Sequence, residues 1–236
     1  MFYEDALTAA RALELTLTSR SKDASGGAIP MCGLPFHAAE GYIARLVRKG
    51  FRVAICQQME DPKKAKGLVR REVVRVVSPG TLTDAGYLEA REPAFLMGVA
   101  AMQPGPGYGV ALLDLSTGEF TAAEYAGDDG GAALTDELAV LRPREVLVPA
   151  GFDAAAALLA GARIDARLTE AEPWTFEYES ARRTLLGQLK AQSLHGYGLD
   201  DRPAAVSAAG ALVQYLRDTQ KADLAHVRGI AFRTGA

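Results

Sequence analysis

Apolar residues recur at helical spacing in some stretches of this chain and alternate in others, and that pattern divides it into elements. Residues 4 to 13, EDALTAARAL, form a predicted helix whose acidic first turn suits the positive end of its dipole. Leu15, Leu17 and their Thr neighbours alternate as a strand ending at Ser19-Arg20, and Ser21 to Gly27 is a polar loop. In Ile29 to Glu40, Pro30 and Pro35 fix φ and Gly33 permits conformations closed to other residues, so a rigid loop presenting Met31, Phe36 and His37 together is expected. Behind it Ala39, Ile43, Leu46 and Val47 mark one face of a helix that Gly50 ends, and Phe51 to Cys56 reads as a buried strand. Asp61 to Gly67 is a basic loop, and Val69 to Val77 alternates into another strand closed by Pro79-Gly80.

No core pattern crosses Thr81 to Pro93, which places a domain boundary near Glu92 and divides the chain into residues 1–92 and 93–236. Three short strands follow, Ala94 to Met102, Tyr108 to Leu115 and Glu119 to Tyr125, joined by turn-forming QPGPG and STG into an antiparallel meander. Helix and strand then alternate: a helix from Ala132 to Leu141, the strand Glu145 to Val148, a helix from Asp153 to Ala160 and a strand from Ile164 to Leu168. A helix from Glu177 to Lys190, broken near Gly187, and a long helix from Ala204 to Lys221 entered through Pro203 complete the order. The expected architecture is α/β in two domains, a small mixed α/β unit and a three-layer α/β domain, each folding on its own core.

Composition agrees with two modest cores: 236 residues, about half of them apolar. The net charge of −3 conceals a division, with thirteen Lys and Arg against eight Asp and Glu through Gly80, and thirteen against twenty-one afterwards. A basic first part suits a polyphosphate, whose counterions each neutralised phosphate releases; the same surplus also describes an ordinary solvated surface. Cys32 and Cys56 sit among apolar neighbours and read as reduced structural thiols, with a disulfide between them as the lesser alternative. No apolar run approaches membrane-spanning length and no signal-like segment opens the chain, so a soluble intracellular protein is expected.

The string IPMCGLPFHAAEGYIARLVRKGFRVAICQQMEDP resembles the amino-terminal region of the MutS family of DNA mismatch repair proteins. LELTLTSR precedes it and KGLVRREVVRVVSPGTLTD follows; DLSTGEF and YLRDTQKADLAHVR resemble the family's next domain, so the likeness spans nearly the whole chain. It implies a mismatch-recognition domain followed by a ribonuclease H-like connector. It also implies mismatched double-stranded DNA and a MutL-like protein as partners, a homodimer for the whole protein, and a place in the bacterial cytosol at the nucleoid. Whole members bind ATP and Mg in a carboxy-terminal ATPase domain. No G-x-x-x-x-G-K-[ST] loop occurs here, so this chain is expected to take no cofactor and to act as a binding and coupling module, not an enzyme.

In the family a Phe-x-Glu motif reads the mismatch, the ring stacking on a base from the minor groove where the damaged step kinks most cheaply. Phe2-Tyr3-Glu4 has that spelling, but it runs directly into Asp5-Ala6, as does the second, helix-opening copy in family members. We therefore assign Phe2 and Glu4 to that second copy and expect the wedge itself to precede Met1.

The expected DNA contacts are Ser19 and Arg20 at a strand end and Lys63, Lys64 and Lys66 on a loop able to track phosphates, with Met31 against sugar or base edges and His37 on a phosphate. Each has a plainer reading: core filling for Met31, a cap or packing role for His37, a solvated run for the lysines. Asp114 in LDLSTG raises a rival, a ribonuclease H-like nuclease, but two-metal hydrolysis needs several converging carboxylates and a hairpin-capping role suits it better. A third reading is a protein-interaction module using the acidic second domain.

Overall fold

The computed structural model describes residues 1–22, 24–62, 67, 69–82, 95–221 and 224–234. Lys63, Lys64 and Lys66 and the expected boundary near Glu92 lie outside the described residues.

The first helix, α1 (Tyr3–Leu13), carries Glu4 and Asp5 in its first turn and ends where Glu14 turns left-handed at φ 59°. Strands β1 (Thr18–Lys22) and β2 (Ala28–Met31) pair antiparallel, with Thr18 opposite Met31 and Ser19 opposite Pro30. A single turn of 3-10 helix at Phe36–Ala38 leads into α2 (Ala39–Arg48), which stops at Gly50 with φ 82°. Strands β3 (Val53–Gln58) and β4 (Arg71–Val77) form a separate antiparallel ribbon. Two small cores hold this unit: Ala6, Ala9 and Leu13 of α1 with Cys32 and Leu46, and Ala44 and Val47 of α2 with Val77 and Leu82.

Four expectations are corrected here. The first strand begins at Thr18, past Leu15 and Leu17, and runs on through Lys22 into the expected loop. Residues 28–31 are strand, because the fixed φ of Pro30 is compatible with extended backbone and its missing N–H is tolerated in so short a ladder. Gly33 is not in the left-handed region and a Cβ built on it meets nothing within 4 Å, so it does not constrain the loop. The β3 strand is not buried: among the described residues its partner is β4 alone, Val53 and Ile55 turn toward α2, and Cys56 is exposed, unlike buried Cys32. Both thiols are free.

The second unit is a six-stranded sheet. Strands β5 (Phe95–Ala101), β6 (Gly107–Asp114) and β7 (Phe120–Ala126) make the antiparallel meander. Strands β8 (Glu145–Pro149) and β9 (Arg167–Ala171) extend the sheet in parallel from β5, and β10 (Ala231–Phe232) adds to the far edge beside β7. The resulting order β10-β7-β6-β5-β8-β9 contains the ribonuclease H-like arrangement of a meander followed by two parallel strands. Helices α3 (Gly130–Leu141) and α4 (Ala154–Ala162) cover one face around Met97, Val99, Leu134 and Leu158; α5 (Tyr178–Leu189) and α6 (Pro203–Gln220) cover the other around Leu96, Leu113, Leu185 and Leu212. The α5 helix passes Gly187 unbroken, since a glycine costs a helix only about 1 kcal/mol relative to alanine. Its neighbour α6 is buried over most of its length because small residues let it sink between α5 and the sheet: a Cβ on Gly109 would enter the Ala204 backbone, and one on Gly210 that of Ala181. Among the described residues no helix is long and apolar enough to cross a membrane.

Candidate nucleic-acid interface

The sheet edge of the amino-terminal unit sets Met31 in one row with Phe2 and Thr18, neither of which is among the expected DNA contacts. Phe2 forms an antiparallel bridge to Met31, which in turn faces Thr18 on β1, so three side chains lie side by side across the ladder. Backbone bonds lock the register: Cys32 N donates to Met1 O at 3.1 Å and the Met1 ammonium donates to Cys32 O at 3.0 Å. The Thr18 hydroxyl donates to Met31 O at 3.1 Å, and Ser19, beside Arg20, sits opposite Pro30. Phe2 and Tyr3 are more than half exposed at 56% and 57%, while Met31 is half-buried between its neighbours.

His37 lies exposed on the following 3-10 turn, outside that row, next to Phe36, whose ring is 93% exposed. Glu4 lies exposed in the first turn of α1, where the helix dipole favours its charge. The β3–β4 ribbon adds Arg70, paired with Glu72 at 2.6 Å on the open surface, where such pairs contribute little.

Asp114 and Glu137 of the second unit are each engaged by a protein partner. Asp114 Oδ1 accepts the Ser116 N–H at 2.8 Å and the Ser116 hydroxyl at 2.6 Å, closing the β6–β7 turn. Glu137 faces Arg233 at 2.9 Å. Among the described residues no three His, Cys, Asp or Glu side chains converge as a metal site.

A second arrangement was not foreseen from the sequence. Glu145, the first residue of β8, is fully buried at 0% exposure. Its Oε1 accepts from the hydroxyls of Thr169 at 2.7 Å and Tyr215 at 2.8 Å, and its Oε2 accepts from Gly80 N at 3.0 Å, across from the other unit. Burial, then the neighbouring Glu145 charge, pushes the Tyr215 hydroxyl well above its usual range, so it stays a donor. Alongside, Gln220 at the end of α6 accepts from Arg75 Nε at 3.0 Å and donates to Val76 O at 2.9 Å, Arg52 stacks 5.8 Å over the Tyr215 ring, and Arg167 reaches Gly50 O at 3.3 Å. One signal was available: a carboxylate opening the otherwise apolar strand EVLVP requires partners that its own strand cannot supply.

Residues 1–86 match the family model described as MutS domain I, and residues 94–228 match MutS domain II. The chain belongs to the MutS family. Among curated relatives, the DNA mismatch repair protein MutS of Solibacter usitatus is 50% identical over 230 residues, covering 96% of this chain and 25% of the relative. That of Symbiobacterium thermophilum is 44% identical over 231 residues, 98% of this chain and 26% of the relative. That of Myxococcus xanthus is 46% identical over 230 residues, 96% and 25%. The chain thus spans about a quarter of the length of the MutS relatives it matches.

Proposed function

We propose that this chain is the DNA-engaging and coupling part of a mismatch repair protein: residues 1–92 contact mismatched double-stranded DNA, and residues 93–236 connect that event to the rest of the molecule. The observation that carries the reading is the pairing of both MutS domain matches with a row of exposed Phe2, half-buried Met31 and exposed Thr18 in the basic part of the chain. Phosphate contacts fall to Ser19, Arg20, Lys63, Lys64, Lys66 and His37, which position the duplex without reading it; Met31 packs on sugar or base edges. Phe2 and Glu4 serve the strand edge and the helix start, not the wedge. The whole protein works as a cytoplasmic homodimer at the nucleoid, takes ATP and Mg in its ATPase domain and engages a MutL-like protein through the connector. This chain does not catalyse a reaction by itself.

The test is a binding titration of matched and single-mismatch duplexes at two salt concentrations. Binding that weakens steeply with salt, with little mismatch preference, and further weakening on combined replacement of Arg20, Lys63, Lys64 and Lys66 by Ala, supports the reading. Absence of duplex binding at low salt, or binding insensitive to those four substitutions, removes it.

A further inference from the structure

We propose that Glu145 is a positioning residue: its buried carboxylate seats the Ser78–Leu82 turn and so fixes the pose of the amino-terminal unit on the connector sheet. The consequence for the DNA face rests on the function proposed above, whereas the joint itself does not.

The turn is made to fit. Ser78 and Thr81 are fully buried and brace each other, Ser78 N donating to Thr81 Oγ1 at 2.8 Å and Thr81 N to Ser78 O at 3.0 Å. Gly80 at its tip lies so close that an added Cβ would stand 2.9 Å from Glu145 Cβ and 3.0 Å from Leu96 Cδ1, so only glycine lets the N–H reach the carboxylate. The three donors come from three elements: the turn, β9 through Thr169, and α6 through Tyr215. If the turn lifts away, Oε2 loses the Gly80 N–H while still surrounded by protein, a costly state for a buried charge.

The seated turn is also tied rigidly to its own unit. It continues from β4, and its flanks Val77 and Leu82 pack with Ala44 and Val47 of α2. Fixing the turn therefore fixes α2 and the ribbon, and the contacts of Gln220 with Arg75 and Val76 add a second point that resists rotation about the first. The chemistry also discriminates between replacements. A Gln at this position keeps an oxygen for the Gly80 N–H and turns its amide to the two hydroxyls, which can rotate to accept; a Leu fills the space and accepts nothing.

Exposed Cys56 takes a spin label while Cys32 is buried, and Val140→Cys, at a site 78% exposed on α3, supplies the second label. Pulsed electron–electron distance measurement on the full chain, without DNA, is expected to give one narrow distance for the parent and for Glu145→Gln. Glu145→Leu and Gly80→Val should each lose that single distance and give a broad distribution, with amide protection across β5 and β8 retained. Should Glu145→Leu unfold the sheet, Gly80→Val decides, because Gly80 lies outside it. The parent distance in either folded variant overturns the proposal. A matched-duplex titration of the parent run alongside separates the two readings: no DNA binding with broadened variants removes the proposed function and leaves the joint standing.

Discussion

Phe2 lies directly across the strand ladder from Met31, whose other neighbour in the row is Thr18. An aromatic held this way is a strand-edge side chain in fixed register, with Glu4 committed to the opening turn of α1. Phe2→Ala is therefore expected to weaken binding to matched and mismatched duplexes by the same factor. Fluorescence anisotropy with both duplexes checks this, and a loss confined to the mismatched one would make Phe2 the wedge after all.

Two glycines should respond in opposite ways. Gly33→Val is expected to stay within about 0.5 kcal/mol of the parent, as open surface positions do, since nothing approaches its Cβ and its φ is ordinary. Gly210→Ala pushes a methyl into the Ala181 backbone where α5 and α6 meet, and should destabilise by roughly 1–3 kcal/mol. Urea unfolding midpoints of the two variants give the comparison; a Gly33 variant as damaged as the Gly210 one would restore the organising role that the sequence suggested for Gly33.

The start of α6 is capped from a distance. Glu124 on β7, with only 4% of its side chain exposed, accepts from Ala204 N at 3.0 Å and Ala205 N at 3.1 Å and lies 3.6 Å from Arg202. Glu124→Ala leaves those N–H groups without their acceptor and should cost about 1 kcal/mol or more, the scale of a lost helix cap. Glu124→Gln, which can still accept both bonds, should recover most of the loss; equal damage from both variants would argue that the charge toward Arg202 matters more than the cap.

Alkaline stability should report on Tyr125. Burial, then the adjacent Glu137, pushes its hydroxyl up from 10.0 to about 12. The folded state thus holds this proton where the unfolded chain has released it, so the stabilisation is complete below pH 10.0 and is lost as pH rises toward about 12. Tyr215 shifts in the same direction. Denaturant midpoints measured across that window should fall for the parent and fall less for Tyr125→Phe. Identical slopes would mean that Tyr125 is not part of the alkaline transition.

The second unit was the more legible one, because its apolar runs are cut apart by turns spelled in Gly, Pro and Ser, although the strand expected from Ile164 to Leu168 falls instead at Arg167–Ala171. What went unread there depends on neighbours: β10 is two residues recruited by β7, and Gly187 resembles a break until a packed helix runs through it. The amino-terminal unit was read well at α1 and α2 and poorly between them, where short strands are defined by pairing partners, not by period. For the candidate site, Ser19 and Met31 could be named from the chain, but their alignment with Phe2 exists only in the ladder. The meeting of Gly80 with Glu145 joins residues 65 positions apart, a separation across which no local pattern reaches.

The α6 helix has one more consequence. Its 18 residues span roughly 27 Å, with Glu124 of the sheet at its entrance and Gln220 against the amino-terminal unit at its exit. A rod enclosed on nearly all sides by close-packed neighbours has little room to bend. A load from β4 at one end would therefore be borne by the rod as a unit and not absorbed by bending, which brings the bonds between Glu124 and the amides of Ala204 and Ala205, at the opposite pole, within its reach.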